Sequence, residues 1–173
     1  GDRAVCGPFS FTLEQGERLA LNGKNGSGKS SLLKLILGED IKKTGTISIG
    51  SGLIISYVSQ DTSHLSGTLS DYASQCRIDE SLFKAILRKL DFERIQFTKD
   101  MAQFSGGQKK KVLIAKSLCE QAHLYLWDEP LNFIDIYSRM QIEQLILDFR
   151  PTMIFVEHDR AFRETIATKT LEL

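Results

Sequence analysis

Three short strings in this chain hold residues whose types and spacing suit phosphate chemistry. Gly23-Lys24-Asn25-Gly26-Ser27-Gly28-Lys29-Ser30 fits the pattern GxxxxGK[ST]. Its glycines let backbone N–H groups turn inward around phosphate oxygens, and a helix starting there adds the positive end of its dipole. Lys29 is placed to reach the β- and γ-phosphates, the Ser30 hydroxyl to hold Mg²⁺, and Asn25, Gly26, Ser27 and Ser31 complete the nucleotide-binding set. The second string, Leu124-Tyr125-Leu126-Trp127-Asp128-Glu129, ends an apolar run in two acids. Asp128 there can organise Mg²⁺ and its waters, and Glu129 can polarise an attacking water as general base. The third, Phe104-Ser105-Gly106-Gly107-Gln108, gives a helix start with a Ser cap and two glycines that expose N–H groups, a second anion site. Two phosphate-binding elements and one nucleotide point to the second element serving a nucleotide held elsewhere.

The flanking sequence supplies elements to carry these strings. Arg18–Asn22 is a short apolar strand that stops at Gly23; Gly28–Leu37 is a helix striped by Leu32, Leu33, Ile36 and Leu37. Thr46–Ile49, the Gly50-Ser51-Gly52 turn and Leu53–Val58 predict a β-hairpin, and Phe9 and Phe11 read as strand core. Leu82, Phe83, Ile86, Leu87 and Leu90 recur at helical spacing after Asp79, a plausible cap. Helices are expected over Gly107–Glu120 and through Ile142, Leu145, Ile146 and Phe149, with strands at Leu124–Trp127, Thr152–Val156 and near Thr170–Leu173. Apolar strands alternating with helices predict an α/β fold, a mostly parallel sheet flanked by helices. The segment of about 62–105 interrupts that alternation and reads as a helical lobe on a core made of about 1–61 and 106–173.

The bulk numbers narrow the class. The 173 residues suit one domain, and 22 Lys and Arg balance 22 Asp and Glu, so no global basic field argues for nucleic acid or membrane lipid. Cys6, Cys76 and Cys119 show no metal-ligand spacing and read as reduced thiols of a cytoplasmic protein, with Cys119 in the core. No apolar run is long enough to span a bilayer, and Gly1–Cys6 form no signal peptide. The abrupt start and the strand-like Thr170–Leu173 end read as a segment of something longer. His64 and His123 match no motif and carry no proposed chemistry.

In its motifs the chain resembles the ABC-type ATPases, and Phe104–Gln108 looks like their signature LSGGQ with Phe for Leu. The resemblance runs from Gly16 to Asp159 with the motifs in family order. It implies ATP and Mg²⁺ as ligands and a second ABC domain as partner, whose ATP would meet Ser105, Gly106 and Gly107. It further implies that Gln60, in Tyr57-Val58-Ser59-Gln60, contacts Mg²⁺ and the attacking water. Asp135 would lie at the pair's interface, and His158, in Val156-Glu157-His158-Asp159, would contact the γ-phosphate.

Within that family, Asn25-Gly26-Ser27 and Glu129-Pro130-Leu131-Asn132-Phe133-Ile134-Asp135 look like the ABC-F group, whose usual string is EPTNHLD. Leu131, Phe133-Ile134 and Lys109-Lys110-Lys111 depart from that wording and resemble the antibiotic-resistance members, most like a C-terminal domain; the resemblance implies a role on the ribosome. The alternatives are the ATP-binding subunit of a membrane transporter and a non-catalytic nucleotide sensor, against which Glu129 argues. The lysine run reads as a solvated helix face more readily than as an RNA contact. The aromatic that stacks on adenine in this family would fall at or before Gly1.

Overall fold

The computed structural model describes residues 6–173, and the adenine-stacking position lies outside them. Five parallel strands, β1 (Arg18–Asn22), β2 (Ile55–Val58), β3 (Leu124–Asp128), β4 (Met153–Val156) and β5 (Lys169–Glu172), form one sheet in the order β2-β3-β4-β1-β5. Parallel strands need crossovers, and helices supply them: α1 (Lys29–Ile36) after β1, and α4 (Gly106–Cys119) before β3. Next come α5 (Ile136–Phe149) between β3 and β4, and α6 (Arg160–Ile166) before β5.

Apart from Arg18, Asn22 and Asp128 at their ends, the central strands β1, β3 and β4 are apolar or aromatic, and their side chains alternate between two cores. Leu19, Leu21, Leu124, Leu126, Ile154 and Val156 meet Leu32, Leu33 and Ile36 of α1. Ala20, Tyr125, Trp127, Met153 and Phe155 face the opposite side, with Val112 and Ile114 of α4 and Ile142 and Ile146 of α5. Burying both faces is why these strands read as continuous runs. Cys119 belongs to this second core, and burial pushes its thiol up to about 11, so it stays protonated at neutral pH.

Between β2 and α4 the chain forms α2 (Leu69–Cys76), α3 (Glu80–Lys89) and two 3-10 turns, Arg94–Thr98 and Met101–Gln103. Asp79 caps α3 by accepting from Leu82 N at 2.7 Å, as its position predicts. Phe83, Leu87 and Leu90 are buried in the core that also takes α4.

The expected hairpin does not form. Residues 46–49 are not a strand; Ile47, Ile49 and Leu53 are exposed, and β2 begins only at Ile55, pairing with β3 alone. Phe9 and Phe11 are likewise not in a strand, although both rings lie against the α1 core. A two-stranded hairpin is marginal unless a third strand or a packed face covers it, and no described segment does so here.

Candidate active site

Parallel strands put all their carboxyl ends on one edge, where sites of this fold class lie. At that edge β1 runs into the glycine-rich loop. Gly23 has φ 140°, and a Cβ there would stand 2.6 Å from the Leu173 carbonyl oxygen and 2.8 Å from Ser27 Oγ, so no side chain fits. Gly28 sits at φ 96° as the N-cap of α1 with no side-chain cap, which leaves the first N–H groups of the helix free for an anion. The stem of Lys29 is buried and its Nζ donates to the Gly23 and Lys24 carbonyls, both at 2.8 Å. Asn25 and Gly26 are exposed at the loop's crown, Ser27 Oγ is 3.5 Å from Lys29 Nζ, and Ser31 follows Ser30 in the first turn.

The next strand ends converge on that loop. Gln60, just past β2, donates from Nε2 to Asp128 Oδ1 at 3.0 Å and to Ser30 Oγ at 3.3 Å. Asp128, the last residue of β3, is buried. Burial first, and then the negative charge of Asp128, push the neighbouring Tyr57 hydroxyl up to about 12, so it stays a neutral phenol. Glu129 leaves the strand at φ 50°, a left-handed conformation uncommon outside glycine, fixed by donation from its N–H to Val156 O at 2.8 Å. That bend aims the carboxylate at His158, whose Nε2 is 3.0 Å from Oε1, while Asn132 Nδ2 donates to Oε2 at 3.0 Å.

Charges that drew little notice in the sequence hold these loops. Glu157 is buried; its Oε1 accepts from His158 N at 2.9 Å and its Oε2 from Leu131 N at 3.0 Å, so one carboxylate ties the loop after Glu129 to the loop bearing His158. Arg139 of α5 pairs with Asp159 at 3.0 Å. The lysine run is not a solvated face. Lys110 is 1% exposed and donates to Ser59 O at 2.9 Å, and Lys111 pairs with Asp135 at 3.0 Å. Burial lowers the pKa of Lys110, opposed by attraction from Asp128, Glu129 and Glu157. Helical spacing held the signal: Lys110 shares a stripe with Leu113, Ile114 and Ser117, which face the interior.

The other glycine pair opens α4. Ser105 Oγ accepts from Gln108 N at 3.2 Å while Ser105 N donates to Gln108 Oε1 at 2.8 Å, a complete capping box. Phe104 is buried edge-on against Phe92, anchoring the turn. Among the described residues no hydrogen bond or ion pair joins 105–108 to the loop 23–31. The neighbour of the turn is Phe133, 84% exposed at φ 65°, whose ring stands beside Gly106 and whose carbonyl stands beside Gly107, where a Cβ on either would meet it. Asp135 caps α5 through Ser138 N at 2.8 Å. Burial would raise its pKa, but the Ser138 N–H, Lys111 and the Ser138 hydroxyl prevail and hold it down at about 2.

For a divalent cation the donor chemistry fits Mg²⁺. Among the described residues no three His, Cys, Asp or Glu side chains form a metal cage. Ser30 Oγ and Asp128 Oδ1 nonetheless converge as hard oxygen donors on the Gln60 amide, whose own oxygen could join them once its nitrogen is turned away, and Mg²⁺ takes few protein ligands and completes its shell with water and substrate phosphates.

Known proteins identify the family. The ABC transporter family matches residues 6–132. The ATP-binding protein Uup of Caulobacter vibrioides is 32% identical over 182 residues, covering 100% of this chain and 30% of its own. The ribosome protection protein VmlR of Bacillus subtilis is 29% identical over 177 residues, covering 99% of this chain and 32% of its own. The chain thus spans about a third of the length of these relatives. Among solved structures, one titled RNase-L Inhibitor superposes with a TM-score of 0.79 at 26% identity over 92% of this chain and 32% of that one. Among the described residues no helix is long and apolar enough to cross a membrane. With its phosphate loop, its strand-end carboxylates and its capped glycine turn on one parallel sheet, and with a relative 30% identical that is named ABC transporter F family member 2 of Arabidopsis thaliana, the chain belongs to the ABC transporter family as an ATPase domain.

Proposed function

We propose that this domain binds ATP with Mg²⁺ and hydrolyses it when paired with a second ABC domain, within a cytoplasmic ABC-F protein that acts on the ribosome. The observation that carries the reading is Glu129, held at both oxygens by His158 and Asn132 beside the Gln60–Asp128–Ser30 cluster. In this reading the loop 23–31 binds the phosphates, with the Lys29 ammonium released from its loop carbonyls to the β- and γ-oxygens. Ser30, Gln60 and Asp128 would hold Mg²⁺, which would supply charge neutralisation at those oxygens. Glu129 accepts the proton of the attacking water, and His158 holds the carboxylate and contacts the γ-phosphate. Gly106 and Gly107 offer N–H groups to the partner domain's γ-phosphate, with Ser105 and Gln108 shaping the turn and Asp135 lying at the interface. The likeness to a ribosome protection protein supports an antibiotic-resistance role.

Two measurements test this. Light scattering should find the domain monomeric in dilute solution, with ATP hydrolysis rising faster than linearly with protein concentration. Hydrolysis per domain that is high and independent of concentration would make the site complete in one copy. In cells, a full-length parent carrying Glu129→Gln should pellet with ribosomes in the presence of ATP. Recovery of that variant only with membranes would assign the domain to a transporter instead.

A further inference from the structure

Lys110 has no role in the reading above, and its position is difficult to explain as fold alone. An ammonium is costly to bury unless it is partnered, and an apolar side chain of similar length would fill the space without that cost. Lys110 nevertheless lies 1% exposed, in the second turn of α4. Its stem runs along the inner face of the helix, and its Nζ donates to the carbonyl of Ser59 at 2.9 Å. Ser59 immediately precedes Gln60, whose amide spans Asp128 Oδ1 and Ser30 Oγ. Asp128, Glu129 and Glu157 all attract the ammonium through space, while its hydrogen bond goes to the Ser59 carbonyl.

The neighbouring contacts make this a specific tether. Gln60 is exposed and follows a strand of four residues at the edge of the sheet. The next loop residues bond among themselves, Ser59 Oγ to Asp61 O at 2.6 Å and Ser63 N to Asp61 Oδ1 at 2.8 Å. Past the end of the β2–β3 pairing at Val58, the Ser59 carbonyl thus ties the residue immediately before Gln60 to α4. That element starts at the Ser105–Gln108 turn, one helical turn before Lys110, and α4 is rigid between them.

We propose that Lys110 is a positioning residue for ATP hydrolysis: it grips the Ser59 carbonyl so that Gln60 stays on Asp128 and Ser30, and through α4 it links the glycine turn to Gln60. This rests on the reading of Gln60 and Asp128 as the Mg²⁺ side of the site. A pull on the turn is passed along one helical turn and one hydrogen bond to a group that touches the metal, with no rearrangement of the core.

The test compares Lys110→Met, which keeps the stem, with Lys110→Arg, which restores a charged donor. Lys110→Met should lower kcat about tenfold, as loss of a hydrogen bond to a charged group does, with KM for ATP within about twofold and a higher Mg²⁺ concentration needed for half-maximal rate. Lys110→Arg should recover most of kcat. In nucleotide-free protein, amide exchange of residues 59–63 should speed up in Lys110→Met and return to the wild-type rate in Lys110→Arg, while residues 112–118 of α4 exchange as in wild type. If Lys110→Met does not fold, Lys110→Gln takes its place with the same readouts. An unchanged kcat, or exchange that accelerates equally along α4, overturns the proposal. Asp128→Asn and Gln60→Ala separate the two claims. If both abolish hydrolysis while Lys110→Met does not, only the tether fails; if neither affects hydrolysis, the metal-site reading fails with it.

Discussion

The chain contains two glycine-rich helix starts, and they are built in opposite ways. At α1 the N-cap is Gly28, in a left-handed conformation with no side chain to satisfy the helix N–H groups, and Lys29 adds a cation. At α4 the N-cap is Ser105, and a reciprocal pair of bonds with Gln108 satisfies two of the donors from within. The α4 start also has Phe133 packed beside both glycines, where a Cβ would otherwise stand. The α1 start is therefore a strong anion site by itself. The α4 start has fewer open donors and no cation at its cap, which suits a phosphate already held elsewhere. The same helix dipole thus gives a binding element in one case and a completing element in the other.

Mutations sharpen or break that contrast. The largest effect should come from Glu129→Gln, which touches neither helix start. The loss of a general base should lower phosphate release by about 10²–10⁴-fold while calorimetry finds ATP affinity retained. A simultaneous loss of affinity would mean that binding and chemistry are not separable here. Lys29→Ala should act on the α1 start alone, weakening ATP binding by about ten- to a hundredfold, with thermal unfolding little changed. An unchanged affinity would leave the α1 start no stronger than the α4 start.

Gly107→Ala tests the other start. A Cβ there would lie 2.4 Å from the Phe133 carbonyl oxygen, a backbone atom that cannot swing aside. The turn and the 132–135 loop must separate, at about 1–3 kcal/mol of overpacking. Hydrolysis should fall severalfold at a given protein concentration, with ATP affinity as in wild type; weaker ATP binding would show that the two starts share one nucleotide. Ser105→Ala removes only the cap and should cost about 1 kcal/mol of stability, read as a lower midpoint of thermal unfolding.

The smallest effect concerns the neighbouring cap, Asp135. Its folded-state pKa of about 2 lies below the unfolded value. Its stabilisation is therefore present above about pH 4 and lost as the pH falls toward 2. The carboxylate is half exposed, so this should amount to less than about 1 kcal/mol. Denaturant titrations of Asp135→Asn should give a flatter stability curve than wild type across that window, and an equally steep one would remove Asp135 from the linkage.

Within this chain the sequence by itself determined the parts. Runs such as Leu124–Trp127 and Met153–Val156, apolar or aromatic throughout, had to be buried on both faces, which predicts parallel strands under helices. Glycines at fixed spacing before Lys29 and Gln108 marked the two helix starts, because their purpose is local: backbone freedom and a cap within a few residues. The hairpin at 46–58 was misread for the complementary reason. Its turn residues and apolar alternation are local signals, but a hairpin persists only when something covers it.

Only the tertiary structure decided what stands beside what. Gln60, the Asp128–Glu129 pair and His158 lie far apart in the chain and meet because β2, β3 and β4 are parallel neighbours whose carboxyl ends share an edge. Helical spacing places Lys110 on the inward stripe of α4 but does not give its partner, and Glu157 could not be ranked from sequence at all, because a charge looks solvated until the fold shows which carboxylate, carbonyl or N–H waits there. Local interactions depend on residue type and spacing, which a sequence states; the burial and pairing of a charge depend on distant segments, which only the packed sheet brings together.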